Sequence, residues 1–229
     1  MTVRTTRPGD GDAVKRLIPM AMHGDEGPPN LANLPAAADQ GLLEDRRGVF
    51  SLVSRRTGEA HESNALMSFR VAEHFGQPAG ITYCGPPIYW TRERSGLPIR
   101  PMILVTERLM ELQLLAVLPE YRHMGYGARL LSDVIHRYRT EGYTALMVVV
   151  SGRADRRLLP WYERHGFVFA PRGRPYKIQF WRYRPQHVAD YTHIGDDQHL
   201  GMLPLAETVD IEPPTIYTDN MPVLTGLLD

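Results

Sequence analysis

The stretch Val117-Leu118-Pro119-Glu120-Tyr121-Arg122-His123-Met124-Gly125-Tyr126-Gly127-Ala128-Arg129-Leu130-Leu131 joins two segments of different periodicity. Before it, residues 109–118 are nearly all apolar, as expected of a strand buried on both faces. After it, Leu131, Val134, Ile135 and Tyr138 stand at i, i+3, i+4 and i+7, with Arg129, Asp133, Arg137 and Thr140 elsewhere. This spacing predicts an amphipathic helix over 127–141, closed by Gly142 as a left-handed cap. The apolar, β-branched run 145–150 predicts a further strand, and the order strand, helix, strand implies a right-handed crossover with parallel pairing, an α/β arrangement. Glycines at a helix start let backbone come close to a ligand, and the unpaired first N–H groups with the positive end of the helix dipole suit an anion such as a pyrophosphate. Gly125-x-Gly127 alone is equally a tight turn. A dinucleotide fingerprint fails on spacing, since Leu130 stands where its third glycine belongs, and a P-loop fails because no Lys-Ser/Thr follows the glycines.

Working outward, residues 66–73 and 79–84 are strand-like runs flanking His74-Phe75-Gly76-Gln77, which predicts a hairpin with glycine available for positive φ. Toward the N-terminus, residues 3–6 suggest a short strand, and Ala13, Val14, Leu17 and Ile18 have helical spacing. Residues 23–35 suggest a loop, 36–45 a second helix, and 49–53 a strand or a helix end. Residues 85–101 hold four prolines together with Tyr89 and Trp90, which marks a long irregular insertion, either a binding element or a variable surface loop. Residues 102–106 are strand-like, 155–165 should hold another helix ending at Gly166, and strands are expected near 167–170 and 176–181. From 185 onward no periodicity is convincing, and an irregular extension is expected, partly docked through Leu200, Met202, Leu203 and Leu205.

The 229 residues are 43% hydrophobic and 23% charged, enough for one core with insertions. No apolar run approaches the roughly 20 residues that span a bilayer, and Met1-Thr2-Val3-Arg4 lacks a signal-type stretch, so a cytoplasmic protein that does not enter membranes is expected. The single cysteine, Cys84, excludes an intrachain disulfide and thiolate metal clusters. His187, His193 and His199 share no helical face, and no metal site is expected. Net charge is zero, from 26 Lys and Arg against 26 Asp and Glu, but eight of the acids and none of the bases lie after residue 184. The first 184 residues thus carry 26 bases against 18 acids, an excess that can attract polyanions, nucleotides or anionic cofactors.

Residues 117–131 resemble the acetyl-CoA loop of the GNAT superfamily of N-acetyltransferases, whose signature is Gln/Arg-x-x-Gly-x-Gly/Ala; Arg122, Gly125 and Gly127 take its defined positions. Trp161-Tyr162-Glu163-Arg164-His165-Gly166-Phe167 resembles the family's Tyr-x-x-x-Gly-Phe segment, and 71–81, with Gly76 and Gly80, its second and third strands. The resemblance covers 1–183, strongly over 111–170. It implies a mixed twisted sheet flanked by helices, with two central parallel strands, 109–118 and 145–150, that splay apart. It implies a GNAT domain over 1–184, interrupted by the insertion 85–101; the acidic extension 185–229, expected from its composition to be irregular, lies beyond the resemblance.

The resemblance further implies that acetyl-CoA is the cosubstrate. The N–H groups of His123, Met124, Gly125, Tyr126, Gly127 and Ala128, with Arg122 at the head of the motif, would hold its pyrophosphate, and the backbone of Leu115, Ala116 and Val117 would pair with its pantetheine arm. Glu111 stands where several protein-acetylating members carry a general base; it would need burial among Met110, Leu112 and Leu114 to be poised near neutrality. Gln113, on the same face, could orient a water instead. Tyr162 matches the tyrosine that protonates the leaving sulfur in many members. Pro160 just before it means that the helix either begins there or kinks. Arg153, Arg156 and Arg157 would contact the adenosine phosphate or form a solvated basic face. The expected activity is acetyl transfer to a primary amine by direct attack in a ternary complex, since no cysteine lies near either motif. The acceptor would be a small molecule or peptide shaped by 23–35 and 85–101, with Tyr89 and Trp90 as walls. Aminoacyl-tRNA, as in toxin-type members, and a non-catalytic acyl-CoA sensor are alternatives; nucleic acid is not favoured, and a homodimer stays open.

Overall fold

The computed structural model describes residues 2–22, 31–43, 45–54, 57–88, 91, 97–154, 156–180, 188–190 and 195–227. The chain divides into two compact units, one of residues 1–47, 66–85 and 112–137, the other of 48–65, 86–111 and 138–229.

The first unit begins with β1 (Thr2–Arg4), α1 (Gly11–Met22) and α2 (Leu34–Asp39). Two long strands run through both units, β3 (Ala60–His74) and β5 (Leu109–Val117), and β4 (Gln77–Gly85) lies between them in an order β1-β3-β4-β5. β3 and β4 form the expected hairpin, antiparallel from Ser68↔Cys84 to His74↔Gln77. Its two-residue turn has φ 46° at Phe75 and 81° at Gly76, so both central residues are left-handed, the geometry that matches the twist of paired strands. Val14 and Leu17 of α1 and Leu34 and Ala38 of α2 share a core with Phe69, Val71, Ile81, Leu114 and Ala116. Gly80 is required for close approach, because a Cβ there would lie 2.8 Å from the Ala116 carbonyl of β5. After a short 3-10 turn at Pro119–Tyr121, α4 (Tyr126–Thr140) packs Tyr126 and Leu130 on Ala72 and Ala79. Gly142, with φ 80°, ends it as expected.

In the second unit, β2 (Arg46–Val53) pairs with β3, and β5 is followed in the sheet by β6 (Ala145–Val150), β10 (His199–Pro204) and β7 (Val168–Phe169). A smaller sheet of four strands has the order β11 (Asp210–Glu212), β12 (Val223–Thr225), β8 (Lys177–Gln179), β9 (Val188–Asp190). Leu109, Ala145, Met147, Tyr176, Ile178, Leu200, Met202, Leu224 and Leu227 belong to one buried cluster. α5 (Leu158–Glu163) lies between β6 and β7 in sequence. Pro160 is its third residue, inside the first turn where a backbone N–H has no intrahelical acceptor, so the helix neither starts at Pro160 nor breaks there.

Two expectations are corrected. Residues 102–106, expected as a strand, belong to α3 (Ile99–Arg108). Pro101, Met102, Val105 and Thr106 are buried while Ile103 and Leu104 are less so, a helical stripe that a run of only five residues does not reveal. The extension after 184, expected to be irregular, supplies β10, which lies antiparallel to both β6 (His199↔Val150 to Pro204↔Ala145) and β7 (Gly201↔Phe169). Leu200, Gly201, Met202 and Leu203 are all buried, so the strand has no polar face to alternate, and its glycine and terminal proline read as loop residues. Gly201 matters sterically: a Cβ there would come 2.5 Å from the Phe169 ring, which lies across the glycine.

Gly201→Val should therefore overpack this sheet and lower the unfolding free energy by about 1–3 kcal/mol in urea titration, with Phe169→Ala in the same chain recovering part of the loss.

Candidate active site

Four consecutive residues from Arg122 to Gly125 are exposed in the segment that leads into α4. His123 has φ 63° and Gly125 φ 85°, and nothing lies within 4 Å of where a Gly125 Cβ would project. The open space means that Gly125 serves the backbone conformation, since a side chain would be strained there whatever the room. The first intrahelical bond is Arg129 N–H to the Gly125 carbonyl at 3.0 Å, so the N–H groups of Tyr126, Gly127 and Ala128 precede the helical ladder. An exposed turn, positive φ at His123 and Gly125, and amides that precede the helical ladder form a segment suited to an anion. Its donor chemistry fits the pyrophosphate of a coenzyme A thioester.

Arg122, at the head of the motif, also has a structural contact. Its Nε donates to the Val117 carbonyl at 3.1 Å, so the guanidinium folds back on the end of β5 and ties the two ends of the loop. Sequence gave no signal for this clasp, because the acceptor is main chain five residues earlier.

Along β5, Met110, Leu112, Leu114 and Ala116 are buried, and Glu111, Gln113, Leu115 and Val117 are half-buried. Glu111, Gln113, Leu115 and Val117 thus share one face of the strand, and Ala116 points to the other. Burial, the sole cause of the shift, raises the Glu111 carboxyl from its ordinary 4.5 to about 7. Gln113 Nε2 is 3.4 Å from the Cβ position of Gly85, where β4 ends.

Tyr162 is 4% exposed and sits among aromatic rings, 4.8 Å from Trp161, 5.2 Å from Phe167 and 6.3 Å from Phe169 between centroids. Its carbonyl accepts from the N–H groups of His165 and Phe167, which fixes the helix end before Gly166, whose φ is 91°. Arg153, Arg156 and Arg157 are exposed. Tyr89, Trp90, His187 and His193 lie outside the described residues, while His199 is half-buried in β10. Among the described residues no group of three or more His, Cys, Asp or Glu could hold a metal ion, and no helix is long and apolar enough to cross a membrane.

The family model of the GNAT acetyltransferase family matches residues 46–167. Among solved structures, yncA from Salmonella typhimurium, determined with its cofactor acetyl-CoA, aligns with a TM-score of 0.53 at 16% identity over 90% of this chain and 95% of its own. The ribosomal-protein-alanine N-acetyltransferase from Brucella melitensis aligns with a TM-score of 0.51 at 15% identity, covering 89% of this chain and 99% of its own. Ard1 from Thermoplasma volcanium gives 0.50 at 16% identity, covering 90% and 98%. No curated protein sequence matches. The matched span is more than half of the chain and includes the hairpin, β5, the glycine loop, α4 and the Tyr162 segment. The chain therefore belongs to the GNAT acetyltransferase family, acyl-CoA-dependent N-acetyltransferases for which acetyl-CoA is the cosubstrate.

Proposed function

We propose that this enzyme acetylates a primary amine of a small molecule or peptide by direct attack within a ternary complex, with Glu111 as general base and Tyr162 as general acid. The observation that carries the proposal is the raised carboxyl of Glu111, half-buried on the strand that leads into the glycine loop. A carboxyl near 7 can take a proton at neutral pH, whereas one at 4.5 is too weak a base to serve an ammonium group well. The amine nitrogen bonds to the thioester carbon as Glu111 takes its proton, directly or through a water oriented by Gln113. The tetrahedral adduct then breaks the C–S bond, and the departing thiolate takes the Tyr162 phenolic proton. The loop amides from His123 to Ala128 and the main chain of Leu115, Ala116 and Val117 hold the pyrophosphate and pantetheine, while Arg122 supports the loop through Val117. The insertion 85–101 shapes the acceptor side. No covalent acetyl-enzyme is needed: Cys84 is wholly buried.

A screen of amines, antibiotics and peptides for release of CoA thiol tests the activity directly. Bound acetyl-CoA with no thiol release from any acceptor class would overturn turnover in favour of a sensor. Tyr162→Phe should lower kcat by roughly 10²-fold while leaving the KM for acetyl-CoA within about twofold, as expected when a general acid alone is lost. An unchanged kcat removes its assignment.

Glu111 gives two pH predictions. The rate should rise with pH through about 7 as the carboxyl ionises, and Glu111→Gln should abolish that rise in the kcat/KM profile for the acceptor. Stability should run oppositely: between 4.5 and about 7 the unfolded chain releases a proton that the folded chain retains, so stability falls as pH rises across that window. Denaturation at pH 5 and pH 8 should show a smaller pH-dependent loss in Glu111→Gln than in the parent enzyme.

A further inference from the structure

The β3–β4 hairpin ends in a histidine that touches both ends of the glycine loop. His74 Nδ1 is hydrogen-bonded to the Tyr126 hydroxyl, and Tyr126 is the first residue of α4, 4% exposed. The His74 ring also lies 4.9 Å from Tyr121, at the loop's entry, and 4.6 Å from Phe75. Tyr121 and Tyr126 are themselves 5.9 Å apart with rings steeply inclined. One imidazole thus packs on the residue before the exposed turn and bonds to the residue after it.

The hairpin end is itself held. Glu73, next to His74, is ion-paired with Arg4 Nε at 2.6 Å and accepts from the Arg7 guanidinium at 3.2 Å, and Arg4 is bidentate with Asp10 at 2.7 and 3.0 Å. β1 runs antiparallel to β3 through Thr2↔Glu73. The imidazole therefore hangs from a braced strand end, not from a free loop. The Tyr126 ring is packed on Ala72, Ala79 and Leu130, so its hydroxyl has one orientation in which to meet His74. A buried tyrosine hydroxyl without a partner would incur a desolvation cost, which makes the bond a condition for this placement of the helix start.

We infer that His74 is a positioning residue for coenzyme A binding, acting through Tyr126 to fix the first turn of α4 and, through Tyr121, the span of the loop. It makes no contact with reacting atoms. The inference rests on the assignment of residues 123–128 to the pyrophosphate. Pre-ordering this loop lowers the entropy lost when the cosubstrate binds, so its removal should appear in affinity and leave the chemical step alone.

The test is CoA titration calorimetry together with steady-state kinetics on His74→Ala, His74→Gln, Tyr126→Phe and Gly125→Val, using an acceptor found by the thiol-release screen for the kinetic arm. His74→Ala and Tyr126→Phe should each raise the CoA Kd and the acetyl-CoA KM by about 3- to 10-fold, the range expected for one hydrogen bond, with kcat and the acceptor KM within about twofold. His74→Gln, which can still bond to the hydroxyl, should recover most of the affinity. Unchanged CoA affinity in Tyr126→Phe, or equal changes in kcat and both KM values, would overturn the positioning role. Should His74→Ala fail to fold, Tyr126→Phe decides, since it removes a single oxygen and keeps the ring. Gly125→Val separates the two levels: if it too leaves CoA affinity intact, the loop assignment fails, whereas weakened binding there with normal binding in Tyr126→Phe sinks only the role of His74.

Discussion

Thr144 is where the second unit is tied together. Its N–H donates to the Arg108 carbonyl at 2.9 Å, and its own carbonyl accepts from Leu205 at 2.8 Å and Ala206 at 3.3 Å. Its hydroxyl reaches the carbonyls of Arg108 and Leu227, each at 3.2 Å. One residue therefore joins the end of α3, the start of β6, the end of β10 and the last described turn of the chain. The strand that follows is dry: Ala145, Leu146 and Met147 have no exposed surface, so their main-chain groups must find partners in neighbouring strands and not in water. β6 obtains one of those partners from residues 199–204, far along the sequence.

That dependence changes the meaning of the charge division. The eight acids after residue 184 looked like a segment apart from the basic body. Instead, Asp219 pairs with Lys177 at 2.8 Å beside the junction where β12 runs parallel to β8. The turn at 195–198 is so closely seated that a Cβ on Gly173 would meet the Asp196 carbonyl at 2.9 Å. The acidic segment is built into the same unit as part of the basic one, and steric fit at glycines, more than charge, fixes it there. An exposed pair such as Lys177 with Asp219 contributes little by itself, because solvent screens it.

What could be read from sequence followed from how local its cause was. The hairpin turn at Phe75-Gly76, the cap at Gly142 and the exposed loop before α4 depend on backbone conformations that glycine announces, and all three were legible. β6 was legible because six apolar residues, half of them valine, have few alternatives. β10 was not, because a strand buried on both sides shows no alternation, and Gly201 has its reason in Phe169, a residue from another strand. α3 was misread because the short run Met102-Ile103-Leu104-Val105-Thr106 fits either period, and the prolines at 98 and 101 that looked like loop residues sit at its N-cap and in its first turn. Arg122 was found as a motif residue but not as a clasp, since the motif fixes the residue and says nothing of the carbonyl it meets.

The same reasoning explains why β5 could be read so far ahead of its neighbours. A strand's period of two puts Glu111, Gln113, Leu115 and Val117 on one face, and every one of them was singled out from sequence; Ala116, on the other face, was assigned through its main chain alone. The usefulness of that face depends on register, because a slip of one residue would turn Leu112 and Leu114 to it and bury Glu111 among the core residues. Gly80 opposes such a slip. Its missing side chain lets β4 approach the Ala116 carbonyl to a distance that no other residue allows, and the Leu118 N–H completes the junction by donating to the Ala79 carbonyl at 2.9 Å. The strand thus reaches the glycine loop in a fixed register. Arg122 then holds the loop to the strand's last carbonyl.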